Sequence, residues 1–105
     1  MQYISAIELK AKQDNKENLI LLDVRENYEH EICSIGGLHI PMENIISRVN
    51  ELPKDRTIVV MCRSGKRAES VANLLLSELN FSDVLILEGG ILSWIEQVDN
   101  QLEIY

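Results

Sequence analysis

One cysteine is placed to do chemistry. Cys62 follows the β-branched apolar run Thr57-Ile58-Val59-Val60-Met61 and precedes Arg63-Ser64-Gly65-Lys66-Arg67. The run before it reads as a buried strand. The stretch after it, Ala68 to Leu76, carries apolar residues at helical spacing. Cys62 therefore sits where a strand ends and a helix is about to begin. Backbone N–H groups in such a turn converge on one concave space, and the helix dipole adds positive potential there. Arg63, Lys66 and Arg67 bring three formal positive charges to the same place. A thiol so placed is favoured in its ionised form, which is the nucleophile. Gly65 lets the backbone turn with no Cβ in the way. The plainer reading of a lone cysteine after a buried strand is a small, inert core residue. The cations clustered around a glycine weigh against that reading.

The rest of the chain supplies the elements that position this loop. At 105 residues it reads as one domain, residues 1–105, with a single sizeable core. Tyr3-Ile4 reads as a short first strand. Ser5 and Glu8 are a capping-box pair opening a helix with Ala6, Ile7, Leu9 and Ala11 on its apolar side. Gln13 to Asn18 reads as a loop, and Leu19 to Leu22 as a strand covered on both faces. Asp23-Val24-Arg25 follows at its C-terminal end, where ligand sites of open α/β sheets lie. Glu26 to Ile32 reads as a helix, Leu38 to Ile40 as a brief strand stopped by Pro41, and Met42 to Leu52 as a helix burying Ile45, Ile46, Val49 and Leu52. The helix after the loop should end near Leu79-Asn80. Asp83 to Leu87 is the last strand, and Gly89-Gly90 turns the chain into a final helix. Solid apolar strands alternating with helices predict an α/β fold: a central parallel sheet of about five strands with helices on both faces.

Four stretches together resemble the rhodanese (sulfurtransferase) family. Cys62 to Arg67 matches its Cys-x-x-Gly-x-Arg loop, and Leu21 to Glu26 resembles its Asp-Val-Arg motif. His39-Ile40-Pro41 resembles its Asn-Ile-Pro, and Leu87 to Trp94 its Gly-Gly-x-x-x-Trp motif. They occur in the family's order and cover almost the whole chain. The resemblance implies the rhodanese-like fold in its single-domain form. It also implies sulfur transfer from thiosulfate or a persulfide donor to a thiophilic acceptor, through a persulfide on Cys62. Arg63, Ser64, Gly65, Lys66 and Arg67 would bind the substrate. Asp23 and Arg25 would support the site structurally, with Arg25 paired to an acid such as Glu29 or Glu31. No metal and no organic cofactor are implied.

Two other function classes stay open on the sequence. Many rhodanese-like domains have lost the cysteine and serve as non-catalytic protein-interaction or regulatory modules. This chain keeps Cys62 with the Gly and Arg positions intact. Cysteine phosphatases and the related arsenate reductases also place a cysteine at a strand end before an anion-cradling loop. Four residues separate Cys62 from Arg67, one fewer than in the phosphatase pattern. The shorter loop suits a single sulfur atom better than a tetrahedral oxyanion.

Composition bounds the partners. A net charge of −7 argues against a general nucleic-acid or anionic-membrane binder, and makes the local basic loop stand out. No apolar run reaches membrane-spanning length. Met1 to Ser5 shows no signal-peptide pattern, and two cysteines make no disulfide framework, so the cytoplasm is the expected compartment. The expected partners are a small anionic sulfur donor and a thiol or sulfur-acceptor protein. Cys33 reads as a residue packed under a loop rather than a resolving thiol. His30 and His39 lack metal-ligand spacing, and Trp94 reads as core.

Overall fold

The computed structural model describes residues 1–105. The elements follow in the order β1 (Gln2–Ile4), α1 (Ala6–Asp14), β2 (Leu19–Asp23), α2 (Asn27–Ile32), β3 (Leu38–His39), β4 (Thr57–Met61), α3 (Lys66–Ser77), β5 (Val84–Leu87) and α4 (Gly90–Gln97). All strands pair in parallel, in the spatial order β1-β5-β4-β2-β3. The central strand is β4, and its register sets Asp23 of β2 beside Met61. The loop carrying Cys62 therefore leaves the sheet between the ends of β2 and β5.

Period-two alternation divides the core into two faces. Ile58 and Val60 of β4 pack with Leu22, Ile86 and the Ala68, Val71, Ala72 and Leu75 face of α3. Val59 and Met61 pack with Leu21, Leu87, Leu9 of α1 and the Ile91, Trp94 and Ile95 face of α4. Helices thus cover both faces, as the apolar strands predicted, and Trp94 is a core residue.

The capping box opens α1: Ser5 Oγ accepts from Glu8 N at 3.1 Å, and Glu8 Oε1 accepts from Ser5 N at 3.0 Å. The apolar stripe of α1 is narrower than its sequence suggests. Only Ala6 and Leu9 are buried, while Ile7 is 61% exposed. The helix also runs to Asp14, into the expected loop. At the other extreme, α3 stops at Ser77, and the left-handed Asn80 (φ 64°) completes the turn.

The expected helix from Met42 to Leu52 does not form. Its place is taken by two short 3₁₀ turns, Met42–Asn44 and Val49–Glu51. Ile45 and Leu52 are buried as expected, but Ile46 is 66% exposed. The cause is local competition. Asn44, Ser47 and Asn50 are weak helix formers, and the Ser47 hydroxyl donates to the Asn44 carbonyl at 3.1 Å. No helix of the chain is long and apolar enough to cross a membrane.

Candidate functional site

Cys62 leaves β4 with only 1% of its surface exposed. Its Sγ accepts from the backbone N–H of Gly65 at 3.0 Å and of Ala68 at 3.4 Å. Gly65 caps α3 at φ 117°, a conformation open to glycine and strained for other residues. The first N–H groups of a helix have no partner within it. Here the thiol sulfur takes one of them, from Ala68, so the helix start is aimed at the nucleophile.

The loop is held from behind by α4. Cys62 O accepts from Ile91 N at 2.9 Å, and Arg63 O accepts from Leu92 N at 3.2 Å. This explains the second glycine of Gly89-Gly90. A Cβ on Gly90 would lie 2.4 Å from Arg63 O and 2.5 Å from Cys62 O, at φ +63°. Gly90→Ala should therefore displace the loop and cost about 2–3 kcal/mol, from backbone strain together with the collision. Urea unfolding, alongside the alkylation rate of Cys62, measures both effects. Gly36→Ala is the control, since Gly36 has a similar φ of +87° with no atom within 4 Å of the added Cβ. Equal costs at the two positions would mean that the collision contributes nothing.

The three cations of the loop have different surroundings. Arg67 forms a two-bond pair with Glu29 of α2, at 2.6 and 2.9 Å. The pair holds the Glu29 carboxyl below its ordinary range and the Arg67 guanidinium above its own. Arg67 therefore fastens α3 to α2, and its charge is largely matched by Glu29. Lys66 is exposed and lines a cleft of about 310 Å³ with Ser64, Tyr3, Glu69 and Glu88. The Tyr3 hydroxyl donates to Glu69 across it at 2.5 Å. Arg63 lies 5.3 Å over the ring of Tyr105. A larger cavity, about 580 Å³, lies along α4 with Leu92, Ile95 and Ile104 in its walls, and no loop residue lines it.

Asp23 and Arg25 form a sealed unit beside the loop, both 0% exposed. Asp23 Oδ1 accepts from Arg25 N and Nε, each at 3.0 Å, and Oδ2 accepts from Nη2 at 2.8 Å. The expected acid partner of Arg25, Glu29 or Glu31, is thus replaced by Asp23. Two residues apart on extended chain, the two side chains fall on one side, and the carboxylate matches the guanidinium fork. Arg25 also donates to the carbonyls of Glu29 at 3.2 Å and Cys33 at 2.8 Å, tying down α2. Burial pushes the Asp23 carboxyl up, but the hydrogen bonds from Arg25 and His30 outweigh it and hold it below the ordinary range.

Both histidines are packed into this unit. His30 Nδ1 lies 3.2 Å from Asp23 Oδ2, and His39 Nε2 donates to Arg25 O at 2.7 Å. Their rings stack with centroids 4.2 Å apart. Cys33 is buried on the sheet face opposite Cys62, with Arg25 Nη1 3.7 Å from its sulfur. Both cysteines are free. Sequence reasoning missed Glu29 as the partner of Arg67, the Ala68 N–H, and Tyr28 with Tyr105. A carboxylate facing the loop from α2 was a readable possibility, whereas the tyrosine pair left no local signal.

The Cys62 loop and the sealed Asp23–Arg25 pair both lie inside the span matched by a family model. The model of the rhodanese-like domain fits residues 5–97. The chain belongs to the rhodanese-like domain family. It is 39% identical over 92 residues to the putative sulfurtransferase YtwF of Bacillus subtilis, covering 87% of each chain. It is 34% identical over 106 residues to the probable adenylyltransferase/sulfurtransferase MoeZ of Mycobacterium tuberculosis, covering 97% of this chain and 26% of MoeZ. The chain thus spans about a quarter of that longer relative. Among solved structures, a rhodanese-related protein from Thermoplasma volcanium superposes with a TM-score of 0.80 at 31% identity, covering 93% of this chain and 94% of that one. The rhodanese-like fold follows from these likenesses.

Proposed function

We propose that this domain is a thiosulfate sulfurtransferase that works through a persulfide on Cys62. The observation that carries the reading is the pair of N–H groups, from Gly65 and Ala68, converging on Cys62 Sγ. In the first half-reaction the Cys62 thiolate attacks the outer sulfur of thiosulfate. The new S–S bond forms as the sulfur–sulfur bond of the donor breaks, and sulfite leaves with the electron pair. In the second, an acceptor thiolate or cyanide attacks the outer persulfide sulfur. The Cys62 thiolate is released, and the acceptor becomes a persulfide or thiocyanate. The covalent intermediate divides one transfer into two easier ones.

Each loop residue has a task in this cycle. The backbone from Arg63 to Arg67 cradles the persulfide anion, with Gly65 allowing the close approach. Arg63 and Lys66 draw in the anionic donor, and Ser64 offers a hydrogen bond. Arg67 is bound to Glu29 and so acts by fixing the loop more than by meeting the donor. Asp23 and Arg25 hold the ends of β2 and α2 in place. In the cell, the proposed acceptor is a small thiol or a sulfur-acceptor protein. Two free cysteines suit a reducing compartment, the cytoplasm.

Intact-protein and peptide mass spectrometry after exposure to thiosulfate tests the proposal. The expected result is one added sulfur on the peptide holding Cys62, removed again by cyanide. A protein that takes up no sulfur from thiosulfate or from a small-molecule persulfide would instead be an interaction module of the same fold.

A further inference from the structure

We propose that Tyr105 is a positioning residue, holding Arg63 as the anion-recognising cation of the Cys62 loop, and that Tyr28 holds Tyr105. This rests on the reading of the Cys62 loop as the site for an anionic sulfur donor. It adds a segment of the chain that nothing in the Cys-x-x-Gly-x-Arg pattern includes.

The three cations are not equivalent. Arg67 is matched by Glu29 through two hydrogen bonds. Lys66 shares its cleft with the carboxylates of Glu69 and Glu88, which offset its field. Arg63 makes no ion pair, and its guanidinium lies 5.3 Å over the Tyr105 ring. An aromatic face attracts a cation without neutralising it. Arg63 is thus the one loop cation that is held by an aromatic face and makes no ion pair. In a chain of net charge −7, a fixed local cation matters more for an anionic ligand than a mobile one.

The ring beneath Arg63 is itself held. Tyr105 meets Tyr28 edge to face, with centroids 5.6 Å apart and planes at 75°. The Tyr105 hydroxyl donates to the Tyr28 hydroxyl at 3.2 Å. Leu102 and Tyr105 also pack against the core face that includes Met61 and Trp94. Tyr28 and Glu29 are neighbours on α2. Two adjacent residues of one short helix thus fix two cations of the loop: Glu29 fixes Arg67 directly, and Tyr28 fixes Arg63 through Tyr105.

The test compares an anionic and a neutral electrophile on the same sulfur. Alkylation rates of Cys62 by iodoacetate and by iodoacetamide are measured at low salt and read by peptide mass. Their ratio cancels changes in thiol reactivity. Tyr105→Ala should lower the iodoacetate-to-iodoacetamide ratio about two- to fivefold. Tyr105→Phe keeps the ring and the edge-to-face contact but loses the hydroxyl bond to Tyr28, so its ratio should fall between those of the parent and Tyr105→Ala. Arg63→Ala should lower the ratio at least as far, and adding Tyr105→Ala to it should change nothing more. With thiosulfate, Tyr105→Ala should raise KM and leave kcat unchanged. An unchanged ratio in Tyr105→Ala, a full additional drop on the Arg63→Ala background, or Tyr105→Phe behaving as Tyr105→Ala would each overturn the proposal. The alkylation ratio needs no turnover. A parent protein that takes no sulfur from thiosulfate yet shows this pattern would lose the sulfurtransferase reading and keep the Tyr105–Arg63 coupling.

Discussion

Cys62→Ser is expected to abolish sulfur uptake from thiosulfate and to lower thiocyanate formation at least about a thousandfold, while the fold survives. The loss follows from the sulfur being both nucleophile and carrier. A serine hydroxyl is barely ionised near neutral pH and forms no persulfide. Survival of the fold follows from the same hydrogen bonds. The Gly65 and Ala68 N–H groups that meet Cys62 Sγ at 3.0 and 3.4 Å can donate to a serine oxygen instead. Serine is a good acceptor for N–H groups at a helix start, so the change should cost no more than about 1 kcal/mol. Thiocyanate formation and urea unfolding, measured on the same preparation, separate the two effects. Cys33→Ala is the comparison. Cys33 lies in the core face opposite Cys62 and should be dispensable for transfer. An inactive Cys33→Ala beside an active Cys62→Ser would move the site to the other cysteine.

The chemistry of this loop is legible in sequence because it is local. Strand, cysteine, glycine and helix lie within a few consecutive residues, and each step is a short-range preference: β-branched residues before the turn, a glycine at positive φ, helical spacing after it. The capping box of Ser5 and Glu8 is legible for the same reason. The segment from Met42 to Leu52 fails because its periodicity is helical while its composition is not. Ile45 and Leu52 could reach the core through 3₁₀ turns, leaving Ile46 outside. What no window reveals is how the loop is braced. Arg67 finds Glu29 across 38 positions, and Tyr105 finds Tyr28 across 77. Those pairings depend on sheet order, which brings β2, β4 and the segment after α4 to one end. The resemblance named the Gly-Gly step, but its reason is tertiary: Gly90 lies against the carbonyls of Cys62 and Arg63.

Asp23→Ala should be the most damaging single change to the fold, at about 3–5 kcal/mol. Both members of the Asp23–Arg25 pair are 0% exposed. Removing the carboxylate leaves a guanidinium sealed from water with only the carbonyls of Glu29 and Cys33 and the Cys33 sulfur to meet it. A domain stable by about 5–15 kcal/mol would lose a large share of that, so two milder readings accompany it. The first is the paired change Asp23→Val with Arg25→Met. It removes both charges and should cost less than Asp23→Ala alone, because the lone charge is what destabilises. The second is pH. The Asp23 carboxyl sits below its ordinary range in the folded chain. Its contribution is therefore complete above the unfolded value of about 3.9, and is lost as pH falls through the folded value. Asp23→Asn cannot titrate there, so its unfolding free energy should fall less than the parent's over that acid range. Urea unfolding between neutral pH and the acid limb measures all three variants. Asp23→Ala within about 1 kcal/mol of the parent would mean that the freed guanidinium reaches water. The Asp-Val-Arg stretch would then not be the sealed brace beside the Cys62 loop.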